Sequence, residues 1–511
     1  MEVNALLTVN RHDPRPIWQQ LLDQAISNIT TGKWPPGELL LPTRELAQLI
    51  GVSRSTIQTV YEELYSRGYT VTSRRGGTRV SEWTYHANIA EELSHKGPTL
   101  PPLPLLDSAL SHLSNWFGNN SDSNTSKQTE IQIDFTPHEP YLDEHFLKDW
   151  RRSFLHASAD TTIDNWAYGD AYGFLPLREQ IARYLSLERG VHVNVDQILL
   201  TSGAQHSLDL IAQALLHEGA TVSVEDPGFP AAWMAMKYRN MNVVPVPVDE
   251  HGLCVDHIDP QSELVYVTPS HQCAVGVIMS EPRRQQLLHL AAEKGLWMVE
   301  DDYDSEFRYR GDPLPTLFSQ RPQNTLYMLS FSKMIAPGIR MSALVGSKEA
   351  ISQLARVQGL TYRHLPIMEQ LTLTHFMERG LFMRHMRKVR NIYRRRHAAM
   401  TKAIISTGLS EHFTLTGAET GLHMLLEASS TFDEAKVTKL ALERGIRIYP
   451  LSQYGLESTR KGWVLGFAKV DEAAIEAGIT SLAEIISDVH SHSNNNYQAN
   501  NVRQTLLSQH E

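Results

Sequence analysis

Six short apolar runs, "QILLTSG", "ATVSVED", "LVYVTPS", "LWMVEDD", "TLYMLSFS" and "SALVGS", are separated by stretches of helical spacing. No other feature constrains the fold as tightly. Strand runs alternating with helical patterns across residues 132–488 predict an α/β domain built on a mainly parallel sheet. In such a sheet, ligands sit in the crevice where the strand ends open.

The residues at those ends point to one kind of chemistry. "MVEDDYDSEF" follows an apolar strand; in extended backbone Asp301 and Tyr303 share a face and Asp302 takes the other. "TSGAQHSLDLIAQALL" runs from a strand end into a helix, so Gly203, Ala204 and Gln205 offer backbone N–H groups to an anion. "EDPGFP" sets Phe229, a candidate stacking ring, after another strand end. In "SFSKMIAPGIR", Lys333 lies among Ser330 and Ser332, with Arg340 following, and these are donors suited to a phosphate. Taken singly, these are an acidic loop, an ordinary turn, a core phenylalanine and a surface lysine. Together they are what a pyridoxal phosphate site needs: a lysine, an acid, a flat ring and a phosphate cradle.

The N-terminal segment follows another plan. "PIWQQLLDQAISNITTG" spaces Ile17, Leu21, Ala25 and Ile29 helically and stops at Gly32. Thr43 is expected to cap a second helix ended by Gly51, and Ser53 a third that buries Ile57, Val60, Tyr61 and Leu64. "GYTVTSRRGGTRVS" reads as a hairpin, completing a winged helix-turn-helix. The third helix leaves Ser53, Arg54, Ser55, Thr56 and Gln58 outward at its start, where a recognition helix meets double-stranded DNA. Arg54 suits a guanine, Gln58 an adenine, the hydroxyls phosphates, and Arg74 and Arg75 the tip of the wing. Residues 52–81 carry five arginines against two glutamates, a local +3 in a chain of net charge −10.

With 511 residues, more than one core is expected. The boundaries read as a DNA-binding domain over 12–82, a linker over 83–131, a large domain over 132–488 and a disordered tail over 489–511. Two cysteines, Cys254 and Cys273, exclude a disulfide framework, and no apolar run is long enough to span a bilayer. The opening "MEVNALLTVNRHDPRP" is not expected to act as a secretory leader, so a cytoplasmic location is expected. No metal site is expected.

In order, "YGDAYG", "TSGAQ", "EDPGFP", "TPSHQ", "EDDYDSEF" and "SFSKMIAPGIR" resemble the fold-type I aminotransferases, while residues 16–81 resemble the GntR winged-helix family. With "RGLFMRHMRKVRNIYRRR", the whole chain resembles the MocR-type regulators. The resemblance implies pyridoxal phosphate as cofactor, with Lys333 as the Schiff-base lysine, Asp301 on the pyridine nitrogen and Tyr303 on the neighbouring oxygen. It implies Phe229 as the stacking ring, and Ser330, Ser332, Arg340, Ala204 and Gln205 around the phosphate. Tyr168 would reach the phosphate of a partner subunit, which makes the protein a homodimer, and Arg44 would contact a DNA phosphate.

Two departures bear on function. Cys273, Ala274 and Val275 stand where relatives carry Pro-Thr-Gly after an aromatic residue or Asn. The arginines that clamp a substrate carboxylate are replaced by Val464 and Ala231, leaving Arg363, His364 or His423 to supply the charge. The expectation is a pyridoxal-phosphate-dependent transcriptional regulator that senses rather than catalyses, acts on an operator with two half-sites and takes the coenzyme itself as signal for vitamin B6 metabolism. The alternatives are an amine or amino-acid effector, or a working aminotransferase.

Overall fold

In the first of two units, Met1–Leu106, the described residues form three helices, α1 (Ile17–Thr30), α2 (Thr43–Ile50) and α3 (Arg54–Ser66), and a hairpin of β1 (Thr70–Ser73) with β2 (Gly77–Val80). The structure, a computed structural model, describes residues 7–73, 76–82, 130–137, 139–311, 314–429 and 432–507. Leu21, Ala25, Ile29, Trp34, Leu46, Ile57, Val60 and Leu64 form the core of this unit. Gly51 ends α2 in the left-handed region at φ 75°, and the Ser53 hydroxyl opens α3 by accepting the Thr56 N–H at 3.1 Å. This is a winged helix-turn-helix.

Two local expectations change. Pro42, whose ring presets the backbone, is the cap residue of α2, so Thr43 lies inside the first turn and caps nothing. Ile17 is 37% exposed, because the buried face of α1 begins one turn later. Arg74, Arg75 and the linker as far as residue 129 lie outside the described residues.

In the second unit, Asp107–Glu511, all six apolar runs are strands of one eight-stranded sheet. Its order is Ile198–Thr201, Ser342–Val345, Thr325–Ser330, Trp297–Asp302, Ser262–Val267, Thr221–Asp226, Asn242–Asp249 and Gly252–Leu253. The five from Thr325–Ser330 to Asn242–Asp249 run parallel. Ser342–Val345 is antiparallel to both neighbours. The parallel strands therefore end together on one side of the sheet. Asn242–Asp249 was not expected to be a strand, since Pro245 and Pro247 interrupt it. It pairs with Thr221–Asp226 on one side and meets Gly252–Leu253 only at residues 248 and 249, so its prolines sit on a largely free edge.

A smaller four-stranded sheet, ordered Thr414–Thr416, His423–Ala428, Lys461–Gly466 and Tyr449–Pro450, follows the long basic helix Leu381–Ser406. The last helix runs Glu472–Leu507, so residues 489–507 are helical where a disordered tail was expected. After Gly478 the chain carries no glycine or proline, and helix propagation meets no breaker. Among the described residues no helix is long and apolar enough to cross a membrane.

Candidate functional site

The strand ends enclose a cavity of about 200 Å³. It is lined by Ala204, Gln205, Phe229, Ala231, Tyr266, Cys273, Asp301, Tyr303, Ser330, Ser332, Lys333, Pro337 and Arg340. Nine of the ten residues expected around a coenzyme thus meet in one place, although they span 137 positions of the chain. Tyr168 is the exception: it is 78% exposed and lies under the Arg363 guanidinium, 4.3 Å from the ring centre.

Asp301 and Tyr303 face the cavity, while Asp302 turns to the other face. There it accepts from Arg189 and from the Tyr327 hydroxyl, both at 2.5 Å. Asp301 Oδ2 accepts the Tyr266 O–H at 2.5 Å, and Oδ1 is buried without a partner among the described residues. Burial pushes the Asp301 carboxyl up to about 7. It also draws the Lys333 amine down to about 8, against the pull of Cys273, Asp304 and Asp301, so a usable fraction is neutral and nucleophilic near neutral pH.

The anion cradle is built by backbone. Gly203, at φ 92°, precedes the helix Ala204–Leu215, whose first residues Ala204 and Gln205 line the cavity. Arg340, itself left-handed at φ 49°, donates from Nη2 to the Ser202 carbonyl at 3.0 Å. A Cβ on Gly203 would come within 2.9 Å of that nitrogen, so glycine is required for the close approach. Ser330 Oγ accepts the Ser332 N–H at 3.4 Å at the turn that presents Lys333.

Neither position where an arginine would clamp a carboxylate is polar. Ala231 lines the cavity, and Val464 is fully buried in an apolar cluster with Cys273, Leu425 and Tyr454. Arg363, His364 and His423 do not line it. Cys273 does, but burial pushes its thiol up, away from the reactive thiolate. Sequence reasoning missed Tyr266, which has no motif of its own. Its partner becomes visible only once Ser262–Val267 pairs with Trp297–Asp302.

A pyridoxal phosphate fits this donor set. Its protonated pyridine nitrogen supplies the donor that Asp301 Oδ1 lacks, and its phosphate suits the arginine and helix start beside Gly203.

On α3, Arg54, Ser55 and Gln58 are exposed, as are Ser53 before it and Arg44 on α2; Thr56 is half-buried. Ser53 Oγ lies 2.8 Å from Ser55 Oγ and 2.7 Å from Thr56 Oγ1, and Gln58 donates to Glu62 Oε1 at 3.0 Å. The Tyr61 hydroxyl ties α3 to the Leu41 carbonyl at 2.7 Å, holding the helix by its buried side.

Comparison with known proteins agrees with both halves. The family "Aminotransferase class I and II" matches residues 130–482, and "Bacterial regulatory proteins, gntR family" matches residues 19–80. An uncharacterized HTH-type transcriptional regulator of Bacillus subtilis, YdeL, is 32% identical over 93% of this chain and 97% of its own. The HTH-type pyridoxine biosynthesis transcriptional regulator PdxR of Corynebacterium glutamicum is 28% identical over 94% of this chain and 98% of its own. Among solved structures, a kynurenine aminotransferase of Pyrococcus horikoshii superposes with a TM-score of 0.65 at 26% identity, over 75% of this chain and 99% of that one. A GntR-type winged helix-turn-helix and an aminotransferase class I and II body in one polypeptide place the chain in the MocR-type family of HTH transcriptional regulators.

Proposed function

We propose that the chain is a transcriptional regulator whose large domain binds pyridoxal phosphate and reports its presence to the DNA-binding domain, controlling vitamin B6 synthesis or salvage. One observation carries this reading. The cavity assembles the lysine, acid, ring and phosphate cradle, while the two carboxylate-clamp positions are the apolar Ala231 and Val464. Such a site retains the coenzyme but is poorly built to hold an amino acid for transamination. The likeness to PdxR, whose name ties it to pyridoxine biosynthesis, supports the pathway.

When bound, pyridoxal phosphate supplies an aldehyde that condenses with an amine and an electron-poor ring. Lys333 would be the amine that holds it, Asp301 would keep the ring nitrogen protonated, and Tyr303 would donate to the ring oxygen. Phe229 would cover the ring face, and Ser330, Ser332, Arg340 and the Ala204–Gln205 backbone would hold the phosphate. The working unit is a homodimer in the cytoplasm, acting on two DNA half-sites. Exposed Ile163, Trp166, Tyr168, Leu360 and Tyr362 on the large unit support the pairing, with Tyr168 reaching the partner's phosphate. The domains are those of residues 12–82 and 132–488, joined by the linker 83–131.

The test is fluorescence anisotropy on the protein's own upstream DNA, with coenzyme-free and coenzyme-loaded chain at one salt concentration. A change of about tenfold or more in affinity, roughly 1.4 kcal/mol of coupling, makes the coenzyme the signal. Unchanged affinity, with the Lys333-dependent absorbance still present, shifts the reading to an amine effector.

A further inference from the structure

Behind Tyr303 lies a buried polar chain that none of these roles uses. Asp304 Oδ2 accepts the Leu422 N–H at 3.2 Å and faces His271 Nδ1 at 2.8 Å. The Tyr303 oxygen stands 3.2 Å from the same nitrogen. His271 and Asp304 are each 1% exposed, and the His423 ring packs 4.5 Å from that of His271. Two left-handed glycines make room for the imidazole. A Cβ on Gly421 would come within 2.0 Å of its Cε1, and one on Gly276 within 3.2 Å of its Nε2.

Asp304 Oδ2 already accepts from a backbone N–H, and in the arrangement where it also accepts from His271, Nδ1 carries the hydrogen. Burial pushes the Asp304 carboxyl up; in this arrangement a proton taken there sits on Oδ1, leaving Oδ2 to accept from both N–H groups. Burial also draws the imidazole down to about 3, so it stays neutral, and with its one hydrogen on Nδ1 the Nε2 carries none. A nitrogen that carries hydrogen cannot accept one from Tyr303. The phenol oxygen is therefore the acceptor in that contact, and its own hydrogen turns away from His271, leaving it for the cavity that Tyr303 lines.

We propose that His271 is a positioning residue: fixed in one tautomer by Asp304, it shares its Nδ1–H with Tyr303 and commits that tyrosine to donating into the cavity, to an anionic ring oxygen. This rests on the coenzyme reading given above and adds to it the group that sets the tyrosine's polarity. His271 never touches the ligand itself.

The two amides closest to histidine separate this from mere packing. The side chain of His271→Asn carries an N–H where Nδ1 sits, whereas that of His271→Gln carries it on the Nε2 side. In the full-length chain with pyridoxal phosphate added, two quantities are read: the dissociation constant and the pH midpoint of the bound absorbance band. Tyr303→Phe should weaken binding about tenfold and move the midpoint. His271→Gln should reproduce both changes, and His271→Asn should stay within about twofold of the native chain. Asp304→Asn, which frees the tautomer, is a second probe should the Gln variant not fold, with a loss of about threefold and a midpoint moved the same way. Asn and Gln variants that behave alike, or an Asp304→Asn variant unchanged in both readouts, would overturn the inference. A native chain that acquires no absorbance beyond that of Lys333→Ala would instead sink the coenzyme reading, and this inference with it.

Discussion

The recognition helix and the coenzyme cavity solve opposite problems. Ser53, Arg54, Ser55 and Gln58 lie within six residues and are exposed, since a DNA reader has to present polar groups to a partner that arrives from solvent. The cavity draws on residues from Ala204 to Arg340 and buries most of its polar groups, so that Asp301 rises to about 7 and Lys333 falls to about 8. One region draws its properties from side-chain identity along a single helix. The other draws them from desolvation, which no single segment can create. Substitutions in the reader should therefore act within one helix, with Ser53, Ser55 and Thr56 coupled through their shared hydrogen bonds, and those in the cavity collectively across the sheet.

The sharpest break in that contrast is Lys333→Ala. Coenzyme affinity should fall about a hundredfold or more, roughly 2.7 kcal/mol, as read by absorbance and dialysis. The DNA affinity of the coenzyme-free chain should not change. Next in size is a pH effect special to the buried site. In the coenzyme-free chain the raised Asp301 carboxyl makes stability greatest below the ordinary carboxylate range, and stability is lost as pH rises through about 7. Asp301→Asn cannot ionise and should remove part of that loss, seen as a flatter dependence of Tm on pH; Glu225 and Glu300, also raised to about 7 by burial, keep part of the slope.

Smaller effects are expected in the reader. Arg54→Ala should cost about tenfold on the upstream DNA and less on a random duplex, measured by anisotropy at fixed salt. A loss of the same size on both would make Arg54 a phosphate contact. Ser53→Ala should lower stability by about 1 kcal/mol through loss of the bond to the Thr56 N–H, read by thermal unfolding, with little change in coenzyme binding.

Legibility followed the range of the interactions. Ser53, Gly51 and the buried stripe Ile57, Val60, Tyr61 and Leu64 were readable because capping and helical spacing act over a few residues. Lys333, Asp301 and Arg340 were readable because strand ends carry recognisable residue types. Tyr266 was not, since its hydroxyl meets Asp301 across paired strands 35 residues apart. The strand Asn242–Asp249 was hidden by two prolines that only an edge position tolerates, and the closing helix Glu472–Leu507 by a polar composition that propagation overrides.

Sequence alone settled six strands of the large sheet, the helices and hairpin of the reader and which residue types stand at their ends, because propensity, capping and periodicity are local. Tertiary structure decided which of those ends meet. It set Asp301 against Tyr266, Arg340 against Gly203, and Tyr303 against His271 and Asp304. The ionisation of these groups depends on the water removed around them, and desolvation is a property of the assembled sheet and its flanking layers.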